Sequence, residues 1–225
     1  ISSTFCMRLL VHQFFRRLGP SKVVWVTPSC AWRFRLPSVD VSIAIATCAT
    51  SGIAFSCSQG TFAKCSSTAE EDRKRWDSRY DGQKVCVAPP MLPAGVKLDQ
   101  VIPLSGRALD VACGTGGVAI WLAQFCGLTV TALDISPVAL DILGSEARAR
   151  SVTVETAVAD LMSDLPTKEE FDLVICQCFR SPVIYSKLAA ALAPGGIIVI
   201  TVLSTVGHEG SSSRFRARPS ELHDF

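Results

Sequence analysis

The chain has 225 residues, 48% of them hydrophobic and 19% charged, which is enough for one domain with a real core plus an appendage. Its net charge of +2 is unevenly spread: residues 1–69 hold seven basic residues against Asp40 alone, whereas the remainder holds fifteen basic and nineteen acidic ones. Ten cysteines without a CxxC pair, and only His12, His208 and His223, exclude zinc ligands at the usual loop or helix spacing and point to reduced thiols.

Residues 1–69 are rich in Ser, Thr, Arg and Ala and nearly free of acids, the composition of an organellar transit peptide. From Met7 onward the sequence can form a basic amphipathic helix with Phe14, Phe15 and Leu18 on its apolar side. The apolar stretch 41–55 is too short and interrupted for a membrane span, which needs about 20 apolar residues. The leader is expected to have no packed core and to address the protein to a mitochondrion or plastid. The alternative is translated non-coding sequence ahead of a cytoplasmic protein.

From residue 70 the pattern changes. Residues 69–80 place acids first and bases later, as a helix dipole favours, with Trp76 and Tyr80 four apart on one face. Residues 87–95 are Pro- and Gly-bearing and read as a loop. Residues 107–112 form a short apolar strand running into a Gly-rich turn. A helical spacing of Val118, Trp121, Leu122 and Phe125 follows. Residues 128–133 are β-branched and end at Asp134, after which Ser136 caps and Pro137 opens a helix to about residue 150.

Residues 152–158 alternate as a strand that leads to Asp160, and residues 171–178 are a buried strand. A helix over 183–192 stops at Pro194-Gly195-Gly196, and residues 197–203 are a strongly apolar strand. Strands alternating with helices predict an α/β fold: a Rossmann-like, doubly wound parallel sheet with right-handed crossovers.

Ligands of such sheets bind beyond the carboxyl ends of the strands, where strand order reverses. Asp110 ends the first strand of this series, and Ala112, Cys113, Gly114, Thr115 and Gly116 make the turn, whose glycines let backbone approach a ligand. Asp134, followed by Ile135 and Ser136, lies 20 residues past Gly114, where a carboxylate can accept both hydroxyls of a ribose. Asp160 and Leu161 follow the next strand, where a carboxylate can accept an adenine amino group.

ALDVACGTG, TALDIS, VADL, FDLVIC and LAPGG, in this order and spacing, resemble the motif series of the class I methyltransferases. DVACGTG, with WDSRY ahead of it and RPSEL near the end, is similar to the tellurite-resistance-type branch of small methyltransferases. The resemblance covers roughly residues 75–225. It implies S-adenosylmethionine as cofactor, with Asp110 and the 112–116 turn holding its methionine end, Asp134 its ribose, and Asp160 with Leu161 its adenine. Cys178 and Phe179 would line the methyl-donor and substrate side. Ala112 stands where the family has its first motif glycine.

Methyl transfer needs alignment and water exclusion more than acid–base help, and no residue is assigned a catalytic role. Arg180, Arg79 and Tyr80 are candidates to contact an acceptor or the donor's carboxylate. The acceptor is expected to be a small molecule, with no metal and no membrane involved. No basic face with interleaved aromatics marks a nucleic-acid partner. A nicotinamide-dependent dehydrogenase would also use Asp134, but its third fingerprint glycine would fall at Ala119. Only 22 residues, with no strand pattern, follow Leu203. The class ends in a strand hairpin that these residues cannot supply. The expected sheet is therefore truncated after the fifth strand with residues 197–203 as an exposed edge, and a non-catalytic protein that keeps the fold is a further alternative.

The leader's composition gives a direct test. A fluorescent fusion of residues 1–69 behind the authentic start should enter mitochondria or plastids, with processing near residues 66–70. A diffuse cytosolic signal would remove the targeting assignment.

Overall fold

A computed structural model of the chain describes residues 68–92, 95–204, 215–218 and 221–223, and the backbone course of residues 23–24 and 41–47. The amphipathic helix expected from Met7 and residue His208 lie outside the described residues. In chain order the strands are β1 (Val23–Val24), β2 (Val41–Thr47), β3 (Arg107–Val111), β4 (Thr129–Asp134), β5 (Val154–Val158), β6 (Phe171–Gln177), β7 (Leu192–Ser204) and β8 (Arg216–Ala217). The helices are α1 (Ala69–Tyr80), α2 (Leu98–Val101), α3 (Gly117–Cys126), α4 (Pro137–Ala149) and α5 (Pro182–Ala190), and a 3-10 turn follows at Glu221–His223.

All the strands join one sheet in the order β1-β2-β7-β6-β3-β4-β5, with β8 parallel to β7. Strands β3 to β7 are mutually parallel. The chain runs outward from β3 to β4 and β5, then returns to place β6 on the other side of β3. The reversal point therefore lies between the ends of β3 and β6, the crevice where such sheets bind ligands.

Alternation along the strands divides the core into two layers. Leu109, Val111, Val174, Cys176, Ile198 and Ile200 face α5 through Ile184, Tyr185 and Leu188. Ala108, Val130, Ala132, Leu173, Ile175 and Val199 face the opposite side, against Ala119, Ile120 and Leu122 of α3 and Leu143 and Ala147 of α4. This is the doubly wound arrangement that the alternating strands and helices predict. The same alternation turns Asp110 toward α3, as the last residue but one of β3.

Helix ends follow local chemistry. Thr68 caps α1 with a capping box closed by Glu71, and the Ser136 hydroxyl caps α4 by accepting from the Ala139 N–H at 3.1 Å. Gly127 ends α3 in the left-handed region, at φ +66°.

Two expectations are corrected. Residues 197–203 are not the outermost edge, because β2, from the stretch read as leader, pairs antiparallel along them from Val41↔Leu203 to Thr47↔Ile197. A continuous apolar strand with free N–H and C=O groups favours a partner, and the Val-Ser-Ile-Ala-Ile-Ala-Thr run of β2 meets that need. The Pro194-Gly195-Gly196 turn does not precede β7 but lies inside it: Leu192 already pairs with Phe171, and an irregularity between Phe171 and Leu173 absorbs the extra residues.

The glycine turn sets a stability test. A Cβ on Gly116, at φ +74°, would lie 1.9 Å from Leu143 Cδ1 and 2.3 Å from its Cγ, whereas one on Gly127 would meet nothing within 4 Å. Gly127→Ala should cost about 1 kcal/mol, from backbone strain alone. Gly116→Ala should cost about 1–3 kcal/mol more, because buried Leu143 must move. Urea unfolding of both variants measures the difference, and equal losses would show that the turn is not packed this way.

Candidate functional site

The site is built where β3, β4 and β6 end. Ala112, Gly114 and Gly116 take left-handed conformations at φ +56°, +55° and +74°, so the turn after β3 alternates hand at every second residue. Ala112 has a side chain where only glycine is relaxed, which gives the physical reason for a glycine at this place in the motif series. Cys178, directly after β6, is also left-handed at φ +58° and exposed. Two strained residues thus stand at the ends of neighbouring strands, on both sides of the reversal point.

Asp134 ties the turns together. Its Oδ2 accepts from the Gly114 N–H at 2.8 Å and its Oδ1 from the Ser136 N–H at 2.9 Å. A carboxylate has about four lone-pair sites, so acceptor capacity remains for a ligand. Burial raises the Asp134 carboxyl above its usual range, opposed by the N–H groups of Ser136, Gly114 and Ile135. Asp110 is buried, and its Oδ2 has no hydrogen-bond partner. Burial, then the charge of Asp134, pushes its carboxyl up to about 7, while the Ala119 N–H holds it down. Burial also pushes the Cys113 and Cys176 thiols up, so neither supplies a thiolate at neutral pH.

Asp160 is half-buried and its Oδ1 accepts from the Met162 N–H at 3.1 Å, a local turn that fixes the carboxylate after β5. Leu161 buries its side chain in the α5-side core. Thr115 and Ile135 are half-buried within the two turns. The residues that the sequence assigns to a cofactor thus lie at the carboxyl ends of β3 (Asp110 and 112–116), β4 (134–136), β5 (160–161) and β6 (Cys178).

Helix α1 adds groups whose placement sequence reasoning missed. A Cβ on Gly114 would lie 2.9 Å from the Tyr80 hydroxyl, so the phenol sits directly on the turn. Burial, then the charges of Asp134 and Cys113, raise the Tyr80 phenol far above its ordinary range and keep it protonated, a hydrogen-bond donor. Asp77, one turn earlier, accepts from the Ser136 hydroxyl at 2.6 Å, and Arg73 holds Asp77 in turn at 3.1 Å. The Trp76–Tyr80 spacing was the signal available in the sequence, but it does not tell which element the rings meet.

The loop after α1 closes over the glycine turn. A Cβ on Gly117 would come within 2.1 Å of the Cys86 carbonyl, so only glycine lets this backbone cross there. Further on, Gln177 at the end of β6 donates to the Met91 carbonyl at 2.9 Å and accepts from the Met91 N–H at 3.3 Å. Arg180 is not directed at a ligand. It forms a bidentate pair with buried Glu221, Nη2 to Oε2 at 2.8 Å.

These residues suit a cationic, nucleoside-bearing cofactor: a buried carboxylate oxygen without a partner, a second carboxylate with lone pairs to spare, and a turn that side chains cannot fill. Among the described residues no cluster of three or more acidic, His or Cys side chains could hold a metal ion. Among them, too, no helix is long and apolar enough to cross a membrane.

Residues 108–196 match the family model described as a methyltransferase domain. This stretch is similar to the class I methyltransferase domains. The cofactor of that family is S-adenosylmethionine, and the Asp110, Asp134 and glycine-turn constellation just described is where this chain would hold it. Over 84 residues the chain is 41% identical to the release factor glutamine methyltransferase of Koribacter versatilis, a match covering 35% of this chain and 30% of that protein. Over 101 residues it is 31% identical to the ribosomal protein L11 methyltransferase of Rhizobium rhizogenes, covering 42% and 35%. The chain thus spans about a third of the length of these curated relatives. Among solved structures, it is similar to an S-adenosylmethionine-dependent methyltransferase from Thiobacillus denitrificans in complex with S-adenosyl-L-homocysteine. That match is 24% identical, covers 44% of this chain and 42% of that one, and has a TM-score of 0.39.

The raised Asp110 carboxyl gives a pH test. In the folded domain this group keeps its proton to about pH 7, whereas in the unfolded chain it loses it near 4. The folded state then binds more protons between those values, so this group makes stability fall as pH rises from about 4 to 7 and adds no slope above. Unfolding free energies of wild type and Asp110→Asn should therefore diverge in favour of the variant by up to about 1.4 kcal/mol per pH unit in that window. A difference independent of pH would show that Asp110 is ionised throughout.

Proposed function

We propose that the protein transfers the methyl group of S-adenosylmethionine to a small-molecule acceptor. The observation that carries this reading is the unpartnered buried oxygen of Asp110, set beside Asp134 at the ends of adjacent strands. Two carboxylates next to a turn without side chains favour a ligand that brings positive charge and a ribose. A dinucleotide brings the ribose without that compact positive charge, and Ala119 stands where its fingerprint wants glycine.

When bound, the donor supplies a methyl group already activated by attachment to a sulfonium. The protein's work is then to bind, orient and exclude water. Asp134 offers its remaining lone pairs to the ribose hydroxyls, and Asp160 one acceptor to the adenine amino group. Residues 112–116 and Asp110 receive the methionine end, and the protonated Tyr80 hydroxyl donates toward it. Cys178 and Phe179 belong to the acceptor side.

The small-molecule acceptor is supported by the likeness of WDSRY, DVACGTG and RPSEL to the tellurite-resistance-type branch, and by the lack of a basic, aromatic-interleaved face in the domain sequence. The curated relatives are named for methylating a release factor and ribosomal protein L11, so a protein acceptor is the second reading. Turnover of labelled donor with small thiols and chalcogen oxyanions, against release-factor and L11 peptides, separates the two. Donor binding without turnover on any acceptor would favour a fold kept without catalysis. The composition of residues 1–69 supports delivery to a mitochondrion or plastid, with Val41–Thr47 kept in the sheet as β2.

Calorimetric titration tests the donor site. Asp134→Ala should weaken S-adenosylmethionine binding by roughly 1.5–3 kcal/mol, the range for hydrogen bonds to a charged group. Asp160→Ala should cost less, since a single adenine contact goes, and NAD should not bind wild type. Unchanged donor affinity in a folded Asp134→Ala protein would sink the assignment.

A further inference from the structure

The chain returns to the site after β7. Leu203 pairs with Val41 of β2 and with Arg216 of β8. A strand has two edges, so β8 lies on the edge opposite β2, the β6 side. Because β6 ends at Gln177, paired with Thr201, β8 continues that side beyond the carboxyl end of β6. Ala217 and Leu222 are buried in the α5-side core, against which Phe179 packs. The returning stretch thus covers the turn 178–180, the acceptor side of the crevice.

Two contacts hold it there. At one end, Glu221 pairs with Arg180 of that turn, with both side chains largely buried. At the other, the Phe215 ring meets Trp76 of α1 edge-on, with centroids 5.9 Å apart, and the Arg75 guanidinium lies 5.5 Å from its centre. Trp76 in turn stacks on Tyr80, with centroids 5.7 Å apart. Tyr80 rests on Gly114, and Asp77 of the same helix holds Ser136. One helix therefore touches the donor turns with Tyr80 and Asp77 and the returning stretch with Trp76 and Arg75.

We propose that α1 couples the two halves of the site: a donor seated against Tyr80 tightens residues 215–218 and 221–222 over the turn 178–180. The coupling runs through the ring series Tyr80, Trp76 and Phe215. Binding that fixes the first ring limits the motion of the next, and the last belongs to the stretch that covers the acceptor side. The Arg180–Glu221 pair fixes the far end, so tightening at Phe215 closes the stretch against a held point. This coupling rests on the methyltransferase reading.

Hydrogen exchange of the full chain, followed by mass spectrometry with and without saturating S-adenosylmethionine, tests it. Peptides spanning residues 215–222 should exchange at least about fivefold more slowly with donor, the low end of a site-to-site coupling. In Phe215→Leu that protection should vanish while residues 110–117 and 134–136 remain protected by donor. Protection confined to 110–117 and 134–136 in wild type would overturn the coupling and leave the donor site standing. Protection at none of these segments would overturn the donor site and the coupling together.

Discussion

A single buried carboxylate holds the crevice in shape. Asp134 ends β4, yet its two oxygens reach both neighbours: the Gly114 amide in the turn after β3 and the Ser136 amide that opens α4. Among the described residues, this carboxylate is the side chain that bonds the turn after β3 to the adjacent strand's end. The same group leaves Ser136 oriented to cap α4 and to meet Asp77. Alignment of a donor over β3, the entry angle of α4 and the docking of α1 therefore share one constraint. A charge buried beside Asp110 is costly for the folded protein, and that cost is what makes the site receptive to a cation.

Much of this arrangement is legible along the chain because it is local. Strand runs of β-branched and apolar residues end at Asp110, Asp134 and near Asp160, and the helices that follow announce themselves by Ser136, Pro137 and the spacing of Val118 to Phe125. What stays hidden is pairing across long separations. Asp77 and Ser136 are 59 residues apart and Arg180 and Glu221 41, and no local period encodes either meeting. Arg180 reads as a ligand-seeking cation from its place after β6, and only the fold shows that a carboxylate already holds it. Residues 41–47 do carry an alternating pattern, but it sits within a Ser- and Arg-rich leader whose composition speaks more loudly than seven residues.

Two of the non-glycine residues in the left-handed region, the pair at the crevice, also separate sequence from structure. Ala112 can be suspected, since a glycine is usual in that motif position. Cys178 cannot, because nothing in CQCFRSP distinguishes a relaxed from a strained backbone. Both strained residues flank the crevice, and the neighbouring elements hold them there: the Cys178 N–H donates to the Thr201 carbonyl at 2.7 Å and the Cys113 N–H to that of Leu133 at 3.0 Å. Backbone strain held by flanking strands keeps a turn from relaxing when a ligand arrives or leaves.

The antiparallel union of β2 with β7 also sets a timetable. Thr47 precedes its partner Ile197 by 150 residues, so the strand made early must wait for the one made late. At a synthesis rate of roughly 5–20 residues per second, that wait lasts about 8 to 30 seconds. Closing so long a loop adds little to its entropic cost, which grows only with the logarithm of length. Time is the larger consequence: β3 to β6 can assemble from nearby chain while residues 41–47 remain unmatched. That interval belongs to whatever binds an extended apolar segment first.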